Sequence, residues 1–289
     1  MSPILTIERL SARVQSRGQE ILSKVSLSLE RGEVRGLVGE SGAGKSTIGK
    51  ALLGILPRDV VITGGAIRYD GRDLLAMPAR ERRQLLGAEI TLIPQDPQTA
   101  LNPGRRIEAQ LTDGLRMKRG LSSREAHDKA LALLEEVHIR EPQRVLAAYP
   151  HELSGGMRQR VLIAAAFALE PRLVIADEPT TALDVTVQKQ ILRLIRSMQE
   201  AHGTAVIFVT HDLGVVAQIC DTVTLLYGGT VIEAGPAADM LANPRHAYTR
   251  ALIEACPRYD QPDAGLHPVP DGVISAMRRD LSQRYGRPV

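Results

Sequence analysis

The chain has no tryptophan, two phenylalanines and six tyrosines, so aromatics make up only 3% of its 289 residues. Its core must be filled by aliphatic side chains, and at 44% hydrophobic residues these are in ordinary supply for a globular protein. Cysteine is equally sparse. Cys220 and Cys256 lie far apart and share no metal-ligand spacing, which reads as two free thiols in a reducing compartment. No stretch approaches the ~18 uncharged apolar residues of a membrane span. The N-terminal MSPILTIERLSARV carries charges where a signal peptide needs an apolar run. The expected setting is cytoplasmic, with any membrane met through a partner. Lys and Arg form no block, and the net charge of +3 is spread evenly, so a nucleic-acid partner is not expected. No Asn-Lys-x-Asp segment occurs, which argues against a guanine-reading GTPase. Internal repeats and low-complexity tracts are also missing.

What is present alternates between strand and helix signals. Residues 4–10, 25–29 and 65–69 read as strands of an antiparallel sheet, the last leading into an Asp70-Gly71 turn. Residues 34–38 read as a short buried strand, followed by a Gly-rich loop and a helix from about Lys45 to Leu56, before Pro57. Residues 89–93 form another expected strand. Two helices, 105–118 and 123–137, then mark a helical insert, the second opening at Ser122 with Glu125 in its first turn. Ser154 is placed to cap a helix ending near Leu169. The apolar run Leu173-Val174-Ile175-Ala176 is what a parallel strand covered on both faces requires. A helix over 186–202, a strand over 204–209 and a hairpin over 222–233 turning at Gly228-Gly229 complete an α/β layered core. After Pro257 the composition shifts to Pro, Asp and Gly, and a tail with one short helix near 274–284 is expected.

Three segments carry the chemistry. The first is Gly39-Glu40-Ser41-Gly42-Ala43-Gly44-Lys45-Ser46, a G-x4-G-K-S pattern between a strand and a helix. Glycines let backbone N–H groups approach phosphate, and the helix N-terminus adds partial positive charge. Lys45 is placed to reach the β- and γ-phosphates, Ser46 to hold Mg2+ through its hydroxyl, and Thr47 to support the α-phosphate side. The second is the strand end Asp177-Glu178. Ligands of open α/β sheets bind at the C-terminal edges of strands. Asp177 is the expected Mg2+ ligand through its water shell, and Glu178 the expected general base for an attacking water. His211 ends another strand and is read as either orienting Glu178 or contacting the γ-phosphate. Gln95 also ends a strand and is read as sensing Mg2+ or the water.

The third segment is Leu153-Ser154-Gly155-Gly156-Met157-Arg158-Gln159-Arg160. Taken with GESGAGKS, Gln95, LVIADEPT, the TALD run from Thr181 to Asp184 and His211, it resembles the ATP-binding subunit of ABC transporters over residues 4–257. The resemblance implies a P-loop NTPase (RecA-like) core with an antiparallel β subdomain and a helical insert, the ABC nucleotide-binding domain. On this reading residues 1–257 form that domain, with its helical subdomain at about 96–158, and residues 258–289 form a C-terminal extension. It implies ATP and Mg2+ as cofactors. Ser154, Gly155 and Gly156, at a helix start, would form a second anion site. In the family that site closes over ATP bound to the opposite subunit, and Asp184 crosses the interface to couple the two sites.

A narrower resemblance rests on QDPQTALNP (Gln95 to Pro103) and NPRHAYTRALIEACP (Asn243 to Pro257), which are similar to segments of importers of oligopeptides, dipeptides and nickel. It implies two permease subunits, a second ATPase subunit (related or identical), an extracytoplasmic solute-binding protein, and residence at the cytoplasmic face of the inner membrane. An exporter subunit and a non-transport ABC ATPase are the alternative readings. Two departures stand out. Family members stack adenine on an aromatic residue upstream of the phosphate lysine, in the neighbourhood where this chain has Val14 or Gln15 and no aromatic before Tyr69. Arg13 or Arg17 is the expected substitute contact. The tail 258–289 also lacks the cysteines that hold an iron–sulfur cluster in many peptide-importer ATPases, and no cluster is expected.

Overall fold

The computed structural model describes residues 2–181, 183–256 and 269–285. The chain divides into two units: residues 5–29, 34–75 and 209–289 form one, and residues 1–4, 30–33 and 76–208 the other.

The first unit opens with β1 (Leu5–Val14), β2 (Glu20–Leu29), β3 (Val34–Val38), α1 (Lys45–Leu53), β4 (Val60–Tyr69) and β5 (Arg72–Asp73). Four of its strands make an antiparallel sheet in the order β2-β1-β4-β5. β1 and β2 run longer than their alternation suggests because both carry bulges, where the register slips. Arg9 and Lys24 sit there at φ 48° and 49°. Their backbone N–H groups, freed from the ladder, are taken up by the hydroxyls of Ser26 (2.9 Å) and Ser11 (3.0 Å). The Asp70-Gly71 turn forms as expected, with both residues at positive φ (47° and 76°), the type I′ geometry of tight hairpins. α1 stops at Leu53 rather than Leu56. Gly54 adopts φ 66° and its N–H, with that of Ile55, closes on the carbonyls of Ala51 and Lys50. A glycine in that left-handed position ends a helix before any proline is reached.

The second unit holds α2 (Ala79–Leu85), β6 (Ile90–Ile93), α3 (Pro97–Ala100), α4 (Ile107–Arg119), α5 (Ser123–Glu136), α6 (Pro142–Ala147), a 3-10 turn (Pro150–Glu152), α7 (Gly155–Phe167), β7 (Leu173–Asp177), α8 (Val185–His202) and most of β8 (Ala205–Thr210). β6 and β7 pair in parallel from Ile90↔Leu173 to Ile93↔Ala176. The α5 start is a full capping box between Ser122 and Glu125, and hydrogen bonds to the Glu125 carboxyl from the Ser122 hydroxyl and backbone N–H hold it below the usual carboxylate range. α4 and α5 close over Leu115, Ala126 and Leu169, a small core of their own. α2, α3 and α6 escape periodicity because they are too short to show it, at 7, 4 and 6 residues.

The chain then returns to the first unit with α9 (Leu213–Ile219), β9 (Thr222–Tyr227), β10 (Thr230–Pro236), α10 (Ala237–Ala242), α11 (Ala247–Glu254) and α12 (Asp271–Tyr285). β3 runs parallel to β9, and β10 antiparallel to it through the Gly228-Gly229 turn. The expected short tail helix is a 15-residue helix, α12. Met277 and Leu281, one turn apart, are buried in a cluster with Val216, Tyr227, Met240 and Tyr248. Burying two such side chains is worth roughly 3–6 kcal/mol before entropic costs, so α12 is a packed part of this unit. Cys220 and Cys256 are half-buried thiols outside any disulfide, and burial pushes the Cys256 thiol up.

Candidate functional site

The phosphate loop leaves β3 at Val38 and enters α1 at Lys45. Gly39 has φ 155° and a Cβ there would sit 2.2 Å from the Leu226 carbonyl oxygen of β9. Gly44 has φ 95° and a Cβ would lie 2.5 Å from Leu22 Cδ2. Both positions are therefore closed to other residues by their positive φ and by backbone and core atoms, and they set the path of the loop into the α1 N-terminus. Lys45 is 5% exposed. Its Nζ donates to the carbonyls of Gly39 (2.6 Å) and Glu40 (2.9 Å), which holds the ammonium inside the loop. A buried cation at a helix N-terminus is an anion cradle, and it fits a nucleotide triphosphate. Ser46 and Thr47 follow on the first turn of α1, both half-buried, while Glu40, Ser41 and Gly42 line the exposed rim around the buried Ala43.

The other unit carries the acidic strand end. β7 is buried from Leu173 to Ala176 and delivers Asp177 and Glu178, both half-buried, at its C-terminus. Glu178 has φ 47°, a left-handed conformation costly for a residue with a Cβ. Strain of this kind at a strand end aims a side chain. Gln95 Nε2 donates to Glu178 Oε2 at 3.1 Å and Thr181 Oγ1 donates to the same oxygen at 3.0 Å. The carboxylate is thus held by two donors, and the Gln95–Glu178 contact is one that the sequence reading did not anticipate.

Ser154 is the N-cap of α7 and accepts the Met157 N–H at 3.3 Å. Asp184 is the N-cap of α8, accepting from Thr186 (3.0 Å) and Val187 (2.9 Å). Ser154, Gly155 and Asp184 are exposed. Unlike Gly39 and Gly44, Gly155 and Gly156 face open space, since a Cβ on either would meet nothing within 4 Å. His211 follows β8 and is exposed.

Three contributors were not picked out by sequence. Gln159 is 1% exposed on α7 and donates to the Pro179 carbonyl at 2.9 Å. It ties the glycine-bearing helix to the residue after Glu178. A polar residue inside a buried helix was the available signal. Thr181 was noted only as part of its run. Tyr248 lies about 200 residues from the loop it touches, and no local pattern marks it.

The class defined by these features is a P-loop nucleotidase. The sequence pattern of the family described as "ABC transporter" matches residues 22–181, and that of "Oligopeptide/dipeptide transporter, C-terminal region" matches residues 232–285. The chain is 47% identical over 274 residues to a probable D,D-dipeptide transport ATP-binding protein of Escherichia coli K12, covering 94% of this chain and 84% of that one. It is 44% identical over 257 residues to an oligopeptide transport ATP-binding protein of Salmonella typhimurium, covering 89% and 76%. Among solved structures it resembles a dimeric ATP-binding cassette in a post-hydrolysis state bound to ADP and Pi, with TM-score 0.71, 27% identity, and coverage of 81% of this chain and 98% of that one.

This chain belongs to the ATP-binding subunits of the ABC transporter family. It has their nucleotide-binding fold, binds ATP and is an ATPase. Among the described residues no helix is long and apolar enough to cross a membrane.

The cradle makes a direct expectation. Lys45→Ala removes the ammonium that the loop carbonyls hold and that is expected to exchange them for phosphate oxygens. With charge-assisted hydrogen bonds worth roughly 1.5–3 kcal/mol, ATP affinity should fall by about a hundredfold, read by equilibrium binding to the full chain. Unchanged affinity would place the phosphates elsewhere.

Proposed function

We propose that this chain powers the import of peptides, or of nickel- or opine-like small solutes, through a pair of membrane permeases. It works as one half of an ATP sandwich with a second ATPase subunit at the cytoplasmic face of the inner membrane. An extracytoplasmic solute-binding protein delivers the cargo, which does not touch this chain. The observation that carries the reading is the C-terminal match over residues 232–285 to the oligopeptide/dipeptide transporter region, together with the transport names of the relatives.

The split site is supported by the glycine contrast. Gly39 and Gly44 are required by their own chain, whereas Gly155 and Gly156 have no neighbour that demands them. Glycine at an exposed helix start suits close approach by something outside the chain, and the α7 N-terminus favours an anion there. The nucleotide of the partner subunit is the anion this reading assigns. Asp184, beside it in role, would cross to the partner while capping α8.

Ser46, Asp177 and Gln95 offer oxygen donors only, the hard set that Mg2+ takes alongside phosphate and water. Gln95 turns its amide nitrogen toward Glu178, which leaves its carbonyl oxygen for the ion or the attacking water. Mg2+, when bound, neutralises charge on the phosphates. Glu178, fixed by Gln95 and Thr181, takes the proton of the attacking water. His211 orients Glu178 or contacts the γ-phosphate. The helical subdomain, about residues 96–158, receives a permease helix, and Gln95 at its start reports nucleotide state to it.

Without an aromatic platform, adenine rests on the β1–β2 hairpin. Its tip is pinned by hydrogen bonds from the Gln15 and Ser16 N–H groups to the Asp59 carbonyl (2.7 Å) and carboxylate (2.9 Å). Arg13, Gln15 and Arg17 are all exposed there. Installing a ring by Gln15→Tyr should tighten ATP binding by about tenfold, since stacking on a base is worth ~1–3 kcal/mol. A competition titration with GTP checks that the gain is in base contact. Equal gains for a base-free triphosphate would put Gln15 away from the adenine.

The transport reading is tested by a mild-detergent pull-down from native membranes with mass spectrometry of the partners. Two permeases and a second ATPase are expected. Recovery of soluble partners alone, as a non-transport ATPase would give, or of an exporter's membrane subunit, would overturn it.

A further inference from the structure

We propose that Tyr248 is a positioning residue of the phosphate loop: its phenol holds the Glu40 carboxylate on the α11 side, away from the anion cradle. Glu40 is an awkward residue to find in a loop that must accept a triphosphate. Its carbonyl oxygen accepts from Lys45 Nζ at 2.9 Å, so its backbone is part of the cradle. Its carboxylate brings a negative charge to the same place, where it would repel phosphate or pair with Lys45. Glu40 Oε1 instead accepts a hydrogen bond from Tyr248 Oη at 2.8 Å.

Tyr248 is built to stay there. Its ring is fully buried and meets Tyr227 edge-on, with centroids 4.9 Å apart at 62°. Its N–H donates to His246 Nδ1 at the α11 N-cap (3.1 Å). The Glu233 carboxylate of β10 accepts the N–H groups of Arg245 (2.9 Å) and His246 (3.0 Å), anchoring the entry to α11. α12 backs the pair through Arg278, whose Nε donates to Tyr227 Oη at 3.4 Å. Burial pushes the Tyr248 phenol well above its ordinary value, and the neighbouring Glu40 adds to the rise. The phenol is therefore a permanent donor. The C-terminal segment Asn243–Cys256 thus acts on the nucleotide site of its own chain, a role separate from the transport reading.

The test is equilibrium binding of ATP with Mg2+ to the full-length chain. Tyr248→Phe keeps the ring and its contact with Tyr227 and removes only the hydroxyl. Dissociation should become about tenfold weaker in affinity, the scale of one charge-assisted hydrogen bond. Adding Glu40→Gln to Tyr248→Phe should recover most of that loss, because the harm lies in the released charge. A purely structural tyrosine would show no such rescue. Glu40→Asp, with Tyr248 intact but the carboxylate one methylene short of it, should lose affinity similarly. This second variant keeps the test open should Tyr248→Phe fail to fold. Wild-type affinity in Tyr248→Phe or Glu40→Asp, or a loss that Glu40→Gln does not repair, would overturn the proposal.

Discussion

Glu178→Gln is expected to bind ATP as the wild type does and to lose turnover by about 10²–10⁴-fold, the usual share of a general base. The change is nearly isosteric. Glutamine keeps an oxygen that can accept from Gln95 and Thr181, which hold Glu178 at 3.1 and 3.0 Å, so the site keeps its shape. What disappears is an atom able to take a proton. Glu178 also occupies φ 47° at the end of β7, a conformation costly for a residue with a Cβ. Single-turnover hydrolysis, measured beside ATP binding, separates the two effects. The proposed split site adds a further outcome: the ATP-bound dimer should accumulate, visible as a doubled mass in size-exclusion chromatography with ATP. Normal turnover would move the base to another residue. Lost ATP binding would mean that the carboxylate holds nucleotide rather than activating water.

Ser154→Arg is expected to leave ATP binding by the isolated chain near its wild-type value and to lower steady-state turnover by about a hundredfold or more. Ser154 and Gly155 are exposed, and Gly155 and Gly156 face open space. A long side chain there disturbs little within the chain beyond the cap to Met157, which costs about 1 kcal/mol. It would instead obstruct the anion proposed to sit at the α7 N-terminus. Losing one donor to developing charge costs ~10²–10³ in rate, and the bulk of arginine adds to that. If Ser154→Arg abolished ATP binding by the chain alone, the serine would belong to the chain's own site, and the proposal of a site shared between two subunits would fail.

Much of this was legible in the residues because the signals are local. A strand, a glycine loop and a helix occupy the twenty residues from Val34 to Leu53. Loop chemistry, capping and strand burial there depend on neighbours in sequence. The same holds for the Ser122–Glu125 capping box, the Gly228-Gly229 hairpin and the buried run into Asp177. The bulges of β1 and the short helices α2, α3 and α6 were not legible. A bulge is decided by the partner strand, and a helix of one or two turns shows no period.

The sequence by itself determined the class of chemistry: a phosphate loop, a strand-end acid with its glutamate, and a glycine-bearing helix start, each written in contiguous residues whose spacing sets their geometry. Only the tertiary structure decided which distant groups act on them. It brought Gln95 to Glu178, Gln159 to the carbonyl of Pro179, and Tyr248 across 208 positions to Glu40. Those contacts are made where the chain packs back on itself. A hydrogen bond between residues far apart leaves no period and no spacing in the sequence.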